Sequence, residues 1–343
     1  MHRTRFVRLA VSATSRAPAG VRRGFSKWYN IHPSLPPDYN SERFGGGMPP
    51  RHRGPPHGVE LLGPAIWGVA VSGAIFMGCA VFDVLLEEVR SRSASSSPPQ
   101  ARHVVDDADQ PPERSKISNL GDHSKLALGI MASYAGVHAA TTSVPWLMEA
   151  HFWHIPVLEK KYTVLTSTFA HASLPHLGFN LLATWIFTRS AGKTPIFKDS
   201  SPHLLAFYLC SGIFSALTYS AIAQIRFRTS QLSHMPAVGA SGAGFALFAT
   251  VVALPPEHKY KILFTPESWA FPIWCLVPPA LLLETAGIFS PNGYSPITNP
   301  AHLGGLTAGL AYVTFDGKKR IWEPCRRLAH RSMQIVGLVR KKQ

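Results

Sequence analysis

Gly239-Ala240-Ser241-Gly242-Ala243-Gly244-Phe245-Ala246-Leu247-Phe248-Ala249 opens one apolar run, and Asn299-Pro300-Ala301-His302-Leu303-Gly304-Gly305-Leu306-Thr307-Ala308-Gly309 opens another. Ser241 and His302 thus stand 61 residues apart, each just inside the start of a hydrophobic helix. Ionisable groups inside apolar spans are costly, so they mark working sites by default. At similar depth, a serine and a histidine can form a nucleophile and its base. Asn299-Pro300 reads as an N-cap followed by proline at the first helical position. Gly239, Gly242 and Gly244 keep one side of the first helix thin, and Gly305 and Gly309 form a Gly-x-x-x-Gly on the second. Small residues of this kind let helix backbones approach closely in a membrane.

Outward from these two runs, the chain shows seven apolar stretches, each near the ~20 residues that a bilayer core requires. The first covers about 61–83; the other six group together at about 124–143, 172–188, 203–225, 238–254, 269–289 and 299–315. Of 343 residues, 46% are hydrophobic and only 15% charged, against about 25% charged in soluble domains. The expected fold is an all-α polytopic membrane protein, a six-helix bundle with one extra N-terminal transmembrane helix. Residues 59–86 hold the extra helix, 87–122 a polar, disordered linker, 124–315 the six-span core and 316–343 a basic C-terminal tail. The net charge of +15 lies mostly at the two ends and in linkers. Charge placed this way sets import and topology, so nucleic acid is not an expected partner. Cys79, Cys210, Cys275 and Cys325 contain no Cys-x-x-Cys, and the three in apolar spans read as small buried hydrophobes. No metal and no cofactor are expected.

Residues 1–30 carry six arginines, one lysine and no acid, the first acid being Asp38. That is the pattern of a mitochondrial transit peptide: amphipathic, Arg-rich and acid-poor. Residues 31–58 are rich in Pro and Gly and read as a linker. The stretch 144–171 is apolar but broken by Pro, Glu and His, as suits a partly helical interfacial loop. His151 and His154 lie in it, and read as interfacial side chains rather than metal ligands.

Consecutive core spans cross in opposite directions. The second, fourth and sixth therefore begin on one membrane face. The second carries His176 and Asn180, which are i and i+4 and share one side of a helix. The fourth carries Ser241 and the sixth His302. Topology alone puts these four side chains at similar depth.

These residues resemble the rhomboid family of intramembrane serine proteases. The family's His-x-x-x-Asn is matched by His176-Leu177-Gly178-Phe179-Asn180, its Gly-x-Ser-Gly by Gly239 to Gly242, and its Ala-His-x-x-Gly-x-x-x-Gly by Ala301, His302, Gly305 and Gly309. The resemblance covers about 124–315, and the one-plus-six layout with a transit peptide is similar to the mitochondrial branch. One departure is Tyr162-Thr163, where many members carry Trp-Arg, which leaves the internal bracing of that loop open.

The resemblance implies a serine endopeptidase of the mitochondrial inner membrane that cleaves single-span membrane-anchored proteins. Ser241 would be the nucleophile, His302 the base, and His176 and Asn180 the oxyanion donors. A Ser–His dyad is expected, because Glu284, the one acid well inside a core span, is read as unable to orient His302. By the same analogy the fifth span, with Trp269, Phe271 and Trp274, forms a lateral gate. Ser173, Ser233, Asn292 and Ser295 are compatible with a polar mouth. The alternative is a catalytically inactive rhomboid-like scaffold that binds transmembrane helices. His-Glu-x-x-His and Gly-x-Gly-Asp are both absent, against metallo- and aspartyl proteases. The compartment faced by the mouth stays open, because an odd span count and the positive-inside rule point opposite ways.

Overall fold

The computed structural model describes residues 61–95, 121–156, 160–227, 236–252, 259–260, 266, 268, 270–289 and 300–339. The transit peptide and the linker at 31–58 lie outside the described residues, as do Ser233, Trp269, Asn292 and Ser295. The main helices are α1 (Leu62–Ser95), α2 (Asp122–Ser143), α3 (Pro145–Phe152), α4 (Leu174–Ala191), α5 (Ser201–Phe227), α6 (Ser241–Val251), α7 (Val277–Phe289), α8 (Pro300–Thr314) and α9 (Glu323–Ile335). One two-stranded antiparallel pair, Lys259–Tyr260 with Phe271–Pro272, precedes α7. The fold is all-α, as the apolar runs require.

The helix lengths depart from seven equal spans. Among the described residues, by length and composition alone, only α1 and α5 are long and apolar enough to cross a membrane. Helix α6 is described over 11 residues, about 16 Å at the helical rise, well short of a ~30 Å hydrocarbon core. Its run-in, Pro236 to Gly239, is extended rather than helical. Non-helical backbone at depth is tolerated where protein satisfies its polar groups. Here Ala237 and His154 exchange both backbone hydrogen bonds, at 2.8 and 3.3 Å, and Gly239 N–H donates to the Ser167 carbonyl at 2.9 Å. The loop before α4 thus clamps the chain that delivers Ser241.

Helix α6 is the centre of the bundle: nine of its 11 residues are buried. It packs against α4, α5 and α8. The glycine contacts explain the fit with α8. A Cβ on Gly305 would overlap the Gly242 carbonyl oxygen, and one on Gly309 would overlap that of Ala246. A Cβ on Gly242 would lie 2.6 Å from Ser215 Cβ on α5.

The extra helix is not detached. Phe76, Ala80 and Val84, four apart on α1, are buried in the same core as α5 and α8. Leu62, Ile66, Val69 and Phe82 along the same helix are exposed, apolar surface that suits lipid. Helix α1 also runs on to Ser95, nine residues into the stretch read as a linker; the rest of that linker, 96–120, is not described. Nor is the C-terminal stretch a simple tail. A π-helical turn, Lys318–Trp322, leads into α9. Trp322 is buried and stacks on His203 at 4.6 Å. Arg326 reaches Asp83 on α1 at 2.8 Å and also pairs with Glu87. The composition of this segment is basic, but its amphipathic spacing gives it a packing face.

Candidate active site

Ser241 is the first residue of α6 and His302 the third of α8. Their close approach follows from the Gly242–Gly305 contact, one residue from Ser241 and three from His302. His302 Nε2 lies 2.8 Å from Ser241 Oγ. The His302 ring stacks on Phe245, one turn along α6, at 4.6 Å and 16°, which fixes its plane. The N–H groups of a first helical turn have no intrahelical partner and carry the positive end of the helix dipole. Ser241 sits at that end.

Gly239 has φ of +120°, a conformation that favours glycine. Space demands glycine as well. A Cβ there would lie 2.8 Å from His176 Nε2 and 3.8 Å from Ser241 Oγ. His176 therefore borders the same small space as the serine. Its helix α4 starts with Ser173 as N-cap, whose hydroxyl accepts from His176 N–H at 3.3 Å. Asn180 is buried one turn further along, and its Nδ2 donates to the His176 carbonyl at 2.9 Å. That occupies one of its two amide N–H groups. Beside Ser241, a cavity of about 20 Å³ is lined by polar Ser167, Thr168 and Ser215 together with Gly239 and Gly242. A water needs roughly 10–15 Å³ of such space.

The expectation that no acid reaches His302 is overturned. Glu284 Oε1 lies 2.9 Å from His302 Nδ1, and the carboxylate is 6% exposed. The sequence signal was available. Span five ends on the face where spans two, four and six begin, so a residue near its end shares their depth. Glu284 sits five residues before the end of α7.

Among the described residues, no group of three or more metal-binding side chains gathers around His151 or His154. His154 is not interfacial but 4% exposed, bonded to Thr163 Oγ1 at 2.9 Å and Ser220 Oγ at 2.7 Å. His151 Nδ1 meets Tyr162 OH at 2.8 Å. Tyr162 and Thr163 thus brace the loop through these two histidines, in the place of Trp-Arg. Of the gate residues that are described, Trp274 is exposed and Phe271 half-buried.

Residues 158–319 match the rhomboid domain. The chain carries a rhomboid domain over just under half of its length. It is similar to the human (Homo sapiens) presenilin-associated rhomboid-like protein, mitochondrial, with 27% identity over 274 residues, 77% of this chain and 68% of that protein. The bovine (Bos taurus) protein of the same name is 28% identical over 209 residues, 60% of this chain; the match spans about half, 52%, of the bovine protein. Presenilin-associated rhomboid-like protein A, mitochondrial, of Danio rerio is 23% identical over 303 residues, 80% of this chain and 74% of that protein. Together the rhomboid domain and these relatives make this rhomboid a mitochondrial membrane protein.

Proposed function

We propose that this rhomboid is a serine endopeptidase of the mitochondrial inner membrane, cleaving single-span membrane-anchored proteins in or near their transmembrane helix. The observation that carries the reading is the 2.8 Å approach of His302 Nε2 to Ser241 Oγ at the start of α6. His302 Nε2 takes the hydroxyl proton as Oγ bonds to the scissile carbonyl carbon, and the C=O electron pair moves to oxygen. His176, the second N–H of Asn180 and the first-turn amides of α6 are the proposed donors to that oxyanion. The C–N bond then breaks, the leaving amine takes the proton from His302, and water repeats the sequence on the acyl-serine.

The test uses the purified full chain in liposomes with a single-span substrate, alongside a fluorophosphonate probe. Wild type is expected to cleave and to label at Ser241. Ser241→Ala and His302→Ala should do neither, and Asn180→Ala should retain a trace, lowered roughly 100- to 1,000-fold. A wild-type protein that holds such helices without cutting them, and resists the probe, overturns the reading in favour of a scaffold.

A further inference from the structure

Glu284 is the only acid in helices α4 to α8. A carboxylate at the centre of an apolar helix costs about 2.5–3.5 kcal/mol on insertion scales, so its presence calls for a partner. That partner is His302 Nδ1, on the opposite side of the ring from the serine. We infer that Glu284 is a positioning residue that completes a Ser241–His302–Glu284 triad. The inference rests on the protease reading above and adds a third member to it.

The chemistry follows from donor and acceptor capacity. An ionised carboxylate only accepts hydrogen bonds. Facing Glu284, His302 must carry its proton on Nδ1, which leaves Nε2 as a lone pair aimed at the Ser241 hydroxyl. This is the tautomer that a general base requires. When Nε2 takes the serine proton, the ring becomes an imidazolium with a carboxylate 2.9 Å from its other nitrogen. The charge pair forms in a water-poor setting, where it stabilises the transition state more than it would in bulk water. Glu284 itself neither gains nor loses a proton; it holds Nδ1–H throughout, and the transferred proton goes from Oγ to Nε2 and on to the leaving amine.

The plane and the tautomer are set by different neighbours. Phe245 stacks on the ring and holds its plane, and this survives loss of the carboxylate. The expected effect of Glu284→Gln is therefore smaller than the ~10⁴-fold known for a serine protease aspartate-to-asparagine change. We expect kcat to fall about 100-fold with KM within about twofold of wild type. Glu284→Asp keeps the charge and should recover activity to within about tenfold of wild type.

The experiment measures kcat and KM for wild type, Glu284→Gln, Glu284→Asp and Glu284→Ala in liposomes, with fluorophosphonate labelling rates and melting temperatures on the same preparations. Slow labelling in Gln and Ala, rescue in Asp, and unchanged KM are the expected outcome. If Gln and Ala shift the melting temperature but label at the wild-type rate, Glu284 is only a structural partner and the inference fails alone. A wild type that neither labels nor cleaves removes the protease reading and this inference together.

Discussion

Among the described residues, two histidine rings lie within hydrogen-bond reach of a serine hydroxyl, and they are built differently. His154 Nε2 is 2.7 Å from Ser220 Oγ, and His302 Nε2 is 2.8 Å from Ser241 Oγ. The distances do not separate them; the surroundings do. The other nitrogen of His154 meets a neutral hydroxyl, Thr163 Oγ1, whereas that of His302 meets a carboxylate. Ser220 is inside α5, its hydroxyl within 3.1 Å of the Ala216 carbonyl. Ser241 stands at a helix start, beside a cavity and a second histidine. A Ser–His contact alone is thus a fold device. It becomes a candidate for chemistry when a charge can be stabilised behind the ring and a substrate carbonyl can be met in front.

The largest effect expected from this contrast is on turnover. Ser241→Ala should lower cleavage by on the order of 10⁶-fold, as in serine proteases that lose the nucleophile. Ser220→Ala should leave fluorophosphonate labelling of the folded protein nearly unchanged. Equal loss in both variants would erase the distinction between the two pairs.

Next comes the spacing that holds one pair in register. A Cβ on Gly305 would overlap the Gly242 carbonyl oxygen, so Gly305→Ala must part α6 from α8 and draw His302 away from Ser241. A displacement near 1 Å at reacting groups costs about 100-fold. Gly129 on α2 is the control, because nothing lies within 4 Å of its missing Cβ. Gly129→Ala should be silent in cleavage assays and in melting.

Much of this was readable from the chain itself. The apolar runs yield the helices, and the parity of alternate spans brings His176, Ser241 and His302 to one end. What the runs conceal is where a helix starts inside a run. The stretch 238–254 looks like a full span, yet its first residues are not helical: Gly239 is bonded to Ser167, and Ala237 just before them to His154, both far away in sequence. Hydropathy carries no trace of such pairing. Glu284 is legible by the same parity, because span five ends on the face where spans two, four and six begin and a residue near its end shares their depth. The amphipathic α9 was hidden by composition, since a basic segment reads as solvated until Arg326 finds Asp83.

His154→Ala is a smaller perturbation and cuts the other way from His302→Ala. It strips Thr163 and Ser220 of their shared partner in a buried site, at a cost of about 2 kcal/mol. It should lower the melting temperature while the folded fraction still labels. His302→Ala should abolish labelling with a smaller change in melting. If His154→Ala instead removed labelling from well-folded protein, the loop clamp on Ala237 would have to act directly on the serine.

The smallest expected effect is a pH slope, and it isolates His154 more cleanly than any single stability value. Burial pushes its imidazole down to about 4 from the ordinary 6.5. Below pH 6.5 the unfolded chain therefore binds a proton that the folded protein does not. The stability tied to neutral His154 is complete above pH 6.5 and drains as the pH falls toward 4, by up to about 1.4 kcal/mol per pH unit. His171, in the loop just before α4, is held down to about 3, first by burial and then by His176, and adds to the same slope. The wild-type curve alone cannot apportion the two. His154→Gln removes one titrating group and leaves His171, so unfolding of wild type and variant between pH 7 and 4.5 should differ by close to one proton. Parallel curves would mean that His154 accepts its proton in the folded state. The ring would then be a charged group in a wet loop, and the contrast with His302 would have to rest on the carboxylate behind the His302 ring alone.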